Sequence, residues 1–374
     1  GRMLGAGEKE RASRYAQNAL QFGVFFALVY TVVLVGFASP LIGFYRLNEQ
    51  ATVQAAEVYL RIVGAGMITS FVNQIFTGLI TASGNSQTPF FATAVGLAAN
   101  IVLDPLLIFG LGPIPAMGVA GAAIATVAAQ AVVTLLFLVH AVKSPLLKPV
   151  RIFSRVDWAC MRDIVKIGGP SAVQQMIFAG VSMVIARMVA VFGDAAVAVQ
   201  RVGSQIESIS WMTCDGFSAA LSSFVAQNHG AGNLYRAKKG YHTSLLILSI
   251  WGALCSAVLI VFPAPLFRIF IPEASILPMG IDYLMILGVS QLFMCLEGIA
   301  SGAFSGFGKT LPPSVVGVVL TAARIPAAMW LSNTALGLNG IWWSITLSSV
   351  LKGVVLVFLF RLFERRIQKG RAEI

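Results

Sequence analysis

Asp104 lies in the apolar run "NIVLDPLLIF" (100–109), where an acidic side chain needs an explanation. An ionisable group at the centre of a membrane-spanning helix costs about 2.5–3.5 kcal/mol on insertion scales, so such groups face a partner or a wet cavity. Asn100 precedes it by four residues, which puts both on one helix face. Pro105 cannot donate a backbone hydrogen bond, so a carbonyl one turn earlier is freed. A carboxylate, an amide oxygen and a free carbonyl are hard oxygen ligands suited to Na⁺, and the carboxylate alone suits H⁺. The other reading is a helix-end Asp near the outer face, because "FGLGP" (109–113) follows within a turn or two.

Glu207, Trp211 and Asp215 recur every four residues in "QRVGSQIESISWMTCDGFSAA" (200–220), and Gln200 and Ser204 extend the stripe. Lipid does not tolerate such a face. It either lines a cavity, offering carboxylates and an indole to a cationic ligand by charge and cation–π attraction, or pairs with a neighbouring helix through Arg187 or Arg201. Glu297, with Met294 near its face, either binds substrate or protons or is paired with Arg324 or Lys352. Nine of the twelve methionines follow residue 157, Met176, Met183, Met212 and Met294 among them. Thioethers suit a promiscuous pocket, although ordinary packing explains most of them.

The elements that carry these residues are membrane-spanning helices. Of 374 residues, 57% are hydrophobic and 11% charged, against about 25% charged in a soluble domain. The apolar blocks are long enough for a hydrocarbon core about 30 Å thick. Their Gly, Pro and charged punctuation gives ten spans, near 16–38, 56–82, 89–110, 118–141, 164–192, 195–225, 240–262, 280–306, 312–332 and 341–361. The fold class is therefore all-α, a polytopic membrane protein. With both ends placed in the cytoplasm, 19 of the 26 basic residues fall on inside segments, and only Arg46, Arg61 and Arg268 fall outside. That asymmetry is the positive-inside rule. It accounts for the net charge of +11 without a nucleic-acid surface.

The sequence repeats. Gly5-Ala6-Gly7 returns as Gly230-Ala231-Gly232; Gly78, Gly84 and Pro89 return as Gly302, Gly308 and Pro313; "MGVAGAA" (117–123) returns as "LGLNGIW" (336–342). Equivalent points are separated by an even number of crossings, so the copies are parallel repeats about an axis along the membrane normal. The second copy has two spans ahead of its Gly-Ala-Gly loop and the first has none. Symmetry thus predicts two further helices before Gly1 and twelve spans in an intact protein. The expected organisation is an N-lobe at 1–142 lacking its first two helices, a cytoplasmic linker at 143–157 and a six-helix C-lobe at 158–374.

Residues 100–130, "AQNHGAGNLYRAKK" (226–239) and "LEGIASGAFSGFGKTLPP" (296–313) resemble the multidrug and toxic compound extrusion family. The resemblance covers essentially the whole chain. It implies two six-helix lobes around a central cavity, exporting cationic or amphipathic compounds against inward Na⁺ or H⁺ by alternating access. It also implies that Asn100 and Asp104 belong to an N-lobe cation site, with Thr126 as a looser match. One branch of the family uses a Glu on the first C-lobe helix for a cation site. This sequence has Gln174 and Gln175 there, which argues against a C-lobe Na⁺ site and leaves both as cavity residues.

The expected partners are a small-molecule substrate and membrane lipid, with no nucleic acid, no cofactor beyond the coupling ion and a monomeric state. The expected location is the cell (inner) membrane, multi-pass. The nearest rival is a flippase for lipid-linked precursors, kept open by Arg187, Arg201, Arg324 and Lys352. An intramembrane enzyme would need a paired metal motif, nucleophile elbow or cofactor fingerprint, and a channel a filter-like segment; the sequence has none of these. "SGFGKT" (305–310) is not a P-loop, because the required first glycine is Ala303 and the segment ends an apolar helix. Cys160, Cys214, Cys255 and Cys295 stand singly, without a disulfide framework.

Overall fold

The computed structural model describes residues 1–43, 49–110, 115–148 and 154–368. Arg46, Arg151, Lys369, Arg371 and the centre of the expected linker lie outside the described residues. Among the described residues every regular element is an α-helix. The chain runs through α1 (Arg2–Gly5), α2 (Lys9–Gly36), α3 (Ala38–Gly43), α4 (Gln50–Ala65), α5 (Met67–Ala82), α6 (Gln87–Ile108) and α7 (Gly118–Lys143). It continues with α8 (Trp158–Ala190), α9 (Asp194–Gly230), α10 (Leu234–Val261), α11 (Pro263–Arg268), α12 (Leu277–Gly288), α13 (Gln291–Gly306), α14 (Leu311–Ala322), α15 (Arg324–Ser332) and α16 (Leu338–Gln368).

Each of the ten spans expected from the sequence falls on one helix or one bent helix pair. Seven continuous helical segments are long and apolar enough to cross a membrane, α14 and α15 together forming one of them. Two more are bent pairs, α4–α5 at 46° and α12–α13 at 40°. The tenth, α9, has 37 residues but falls short in hydropathy because it carries the polar stripe from Gln200 to Asp215. Phe25, Phe90, Phe91, Ile101 and Leu135 are exposed, an outward apolar surface that only lipid satisfies.

The internal repeat is visible in the element boundaries. Moving α2 and α3 forward by 225 residues lands on the bounds of α10 and α11. Moving α6 forward by 224 residues lands on the joint bounds of α14 and α15. The break between α4 and α5 at Gly66 recurs at Ser290 between α12 and α13. Three pairs of glycines hold the left-handed backbone at equivalent turns: Gly7 and Gly232 (φ 79° and 74°), Gly84 and Gly308 (90° and 71°), Gly118 and Gly337 (53° and 51°). Other residue types adopt this conformation at a cost, so turn chemistry preserved the repeat better than overall sequence did.

The chain divides into two compact units, Gly7–Ile164 and a second made of Gly1–Ala6 with Val165–Ile374. In the first, Ala16, Leu20, Phe76, Ile80 and Phe137 form a core among α2, α5 and α7. In the second, α9, α10, α13 and α16 enclose Val225, Tyr241, Cys295, Phe304 and Phe360. There α1 lies against the end of α9. A Cβ on Gly5 would overlap the Gln227 carbonyl oxygen, and a Cβ on Gly230 would overlap the Arg2 carbonyl oxygen. The repeated first glycine of each Gly-Ala-Gly loop therefore lets two helix ends touch backbone to backbone.

Caps set the helix starts. Asn233 Oδ1 accepts from the Arg236 N–H (3.0 Å) at the head of α10. Asp157 Oδ1 accepts from the N–H groups of Ala159 (3.0 Å) and Cys160 (3.3 Å) at the head of α8. These are N-cap bonds. The Cys160 N–H, followed by the Cys160 thiol, holds the Asp157 carboxyl below its usual pKa. The Asp157 N–H in turn donates to Oδ1 of the buried Asn18 (2.9 Å), which fixes this end of the linker to α2.

Candidate functional site

In the first unit a cavity of about 700 Å³ opens among α5, α6 and α7. Asn100 and Thr126 line it, together with Asn73 and Gln130. Asp104 stands one turn beyond Asn100, outside this lining, and is half-buried. Asn100 Nδ2 donates to Asp104 Oδ1 at 3.3 Å, so the expected pair is in contact along one face of α6. Pro105 sits inside that helix and cannot donate to the Ile101 carbonyl. Thr126 Oγ1 donates to the Ala122 carbonyl (2.9 Å) within α7, on the wall of the same cavity.

A second polar group in this unit was not anticipated. Asn73 Nδ2 donates to the Gln130 carbonyl (2.9 Å) and to Gln130 Oε1 (2.8 Å), and Thr134 Oγ1 donates to Asn73 Oδ1 (2.8 Å). Thr126, Gln130 and Thr134 recur every four residues in an apolar helix, and that spacing was the available signal.

In the second unit a cavity of about 440 Å³ is lined by Phe178, Gln200, Arg201, Glu207, Tyr283 and Arg324, among others. Glu207 thus faces a cavity, as one reading of the α9 stripe required. Its partners are not the arginines named from sequence. The Tyr283 hydroxyl donates to Glu207 Oε1 (2.8 Å) and Gln291 Nε2 donates to Oε2 (2.9 Å). Tyr283 and Gln291 were missed in "DYLMILGVSQLF" (282–293), where the amide of Gln291 inside an apolar run was the available signal. Gln200 Oε1 accepts from the Trp342 indole N–H (3.3 Å). Trp211 and Asp215, further down the stripe, are exposed and do not line this cavity.

Glu297 on α13 is paired rather than free. Lys352 Nζ on α16 lies 3.0 Å from its Oε1 and 2.9 Å from its Oε2. Of the two partners foreseen, Lys352 is the one in contact. Arg324 instead donates from Nε to Ser348 Oγ (3.1 Å) and from Nη2 to Ser349 Oγ (3.1 Å), with Phe178 5.8 Å from the guanidinium carbon. Met294 Sδ accepts weakly from Ser290 Oγ (3.8 Å). Gln174 packs against Gly317 on α14, and Gln175 is exposed.

Each unit of the arrangement offers a cavity with room for a small molecule. Both cavities are apolar-walled, each with a few fixed polar groups, which is the usual make-up of a ligand site. A family model described as MatE matches residues 1–106 and 170–330. The chain is 27% identical over 371 residues to the probable multidrug resistance protein NorM of Thermotoga maritima, covering 97% of this chain and 79% of that one. It is 25% identical over 367 residues to an FAD transporter of Shewanella oneidensis, covering 96% and 79%. A crystal structure titled as MATE in the straight conformation superposes with a TM-score of 0.88 at 23% identity, covering 98% of this chain and 82% of that one. The family model, matched in both halves of this repeated helical membrane fold, establishes that the chain belongs to the MatE family of multidrug and toxic compound extrusion transporters, and that it is a transporter rather than an enzyme.

Proposed function

We propose that the protein is a secondary antiporter that exports cationic or amphipathic drugs or metabolites in exchange for inward Na⁺ or H⁺ by alternating access. The observation that carries this reading is the Asn100–Asp104 contact beside Pro105, with Asn100 and Thr126 on the wall of one cavity. A carboxylate that exchanges a cation or proton inside an apolar helix changes the charge of that helix, and so biases which face of the membrane the unit opens to. Glu207, Trp211, Asp215, Met294, Gln174 and Gln175 belong to the substrate path in this reading. Glu297 belongs to it as a residue that positions α13 against α16. The organisation is an N-lobe to residue 142, a linker and a C-lobe from residue 158. The protein acts as a monomer in the inner membrane, with both ends of this chain cytoplasmic. The relative named for FAD transport widens the substrate range in which to search.

The test is efflux from proteoliposomes. Vesicles holding the protein and loaded with ethidium are placed under an inward Na⁺ gradient, an inward H⁺ gradient or neither. The reading expects dye loss with one gradient and none without. Dye loss that ignores both gradients, or no loss for any amphipathic cation tried, overturns it.

A further inference from the structure

We infer that the cavity of the second unit binds an anionic group, a carboxylate or phosphate on an amphipathic molecule, with Arg324 as its receptor. Arg324 is 7% exposed and lines the cavity. A guanidinium has five donors and cannot shed its charge. Two of those donors go to the serine hydroxyls of α16, and among the described residues no carboxylate lies within ion-pair distance of it. A buried charge without a contacting counter-charge is expensive to maintain.

The two acids nearest to it do not pair with it directly. Glu297 has both oxygens on Lys352, and Glu207 has one oxygen on Tyr283 and the other on Gln291. Arg201, exposed on α9, adds a second guanidinium to the same wall. The wall therefore carries two guanidiniums against one carboxylate, and that carboxylate is held by its own donors. Phe178, under the Arg324 guanidinium, and the aliphatic side chains of Val181, Ile185 and Ile345 give an apolar bed for the rest of the molecule. An oxyanion at Arg324 would take up the unused donors in charge-assisted bonds and balance the excess positive charge of the wall.

The inference rests on the export reading only for the purpose of the cavity, and binding is measured without a gradient, so the two fail separately. The protein is placed in phosphatidylcholine nanodiscs and titrated calorimetrically with 1-naphthaleneacetate and with the matched neutral 1-naphthaleneacetamide. The expected result is that wild type prefers the carboxylate by about tenfold or more. Arg324→Gln should reduce that preference to less than about twofold while retaining the amide, with Arg324→Lys in between. Equal affinity for the two probes in wild type, or a preference that survives Arg324→Gln, overturns the assignment.

Because Arg324→Gln could misfold, wild type is also treated with phenylglyoxal and Arg324 modification is read by mass spectrometry. Protection by naphthaleneacetate but not by the amide supports the site. Protection appearing only when phosphatidylglycerol is added to the discs also supports it and identifies the anion as a lipid headgroup. Absence of protection by either anion overturns it.

Discussion

Removing Lys352 should leave a charge stranded inside the protein, and the size of the effect follows from the geometry. Lys352 Nζ contacts both oxygens of Glu297 at 3.0 and 2.9 Å, with the two side chains 8% and 17% exposed. Breaking a buried pair from one side costs about 3–5 kcal/mol, because the abandoned charge has lost its partner without regaining water. The partial exposure of Glu297 places Lys352→Met near the lower end, at about 3 kcal/mol. The double variant Lys352→Met/Glu297→Gln removes both charges and should recover most of that loss, since replacing a buried pair by uncharged groups is often close to neutral. Cys160, Cys214 and Cys295 are free and buried, so a thiol-reactive fluorophore reports unfolding in detergent micelles as denaturant is raised. Equal stability of wild type and Lys352→Met would refute the reasoning. So would a double variant as unstable as the single one. A double variant that stays folded but loses efflux would return Glu297 to the role of a substrate or proton ligand.

Three further outcomes follow from particular contacts. Gly230→Ala should destabilise the protein by about 1–3 kcal/mol through overlap with the Arg2 carbonyl. The helix preference for Ala over Gly alone would stabilise it by about 1 kcal/mol, so the sign of the measured change decides between close packing and open space. Tyr283→Phe removes one of the two donors to Glu207 and should cost about 1.5–3 kcal/mol in the same unfolding assay, the range for hydrogen bonds to charged groups; an unchanged midpoint contradicts the bond. The folded Asp157 has a lowered pKa, so its contribution to holding the start of α8 is present above the unfolded aspartate value and is lost as pH falls through the depressed folded value. Hydrogen exchange at the Ala159 and Cys160 amides should accelerate in that acid window for wild type and be fast at every pH in Asp157→Ala. A wild type with no such acid transition contradicts it.

The ten spans and the duplication were legible in the sequence because both depend on features that tolerate little substitution. A span needs length and hydropathy, and the turns at Gly7, Gly84 and Gly118 and their counterparts at Gly232, Gly308 and Gly337 need left-handed backbone. The bends at Gly66 and Ser290 were not read, since each lies inside an unbroken apolar block. At the candidate sites, the sequence reveals polar residues that share a helix, such as Asn100 with Asp104, because a four-residue spacing decides that contact locally. It was silent about contacts between helices. Glu207 with Tyr283 and Gln291, and Asn73 with Gln130, depend on how helices far apart in the chain rotate against one another. Periodicity carries no information about that rotation. Lys352 was recoverable as a candidate partner of Glu297 only because intramembrane cations are few.

The ion-coupling role of Asp104 is tested most directly by comparing wild type and Asp104→Asn in proteoliposomes under a fixed inward Na⁺ or H⁺ gradient, with dye binding measured on the same preparations. The account predicts that the variant still binds dye with an affinity close to wild type but no longer moves it in response to either gradient. Gradient-driven efflux by Asp104→Asn at the wild-type rate would contradict it.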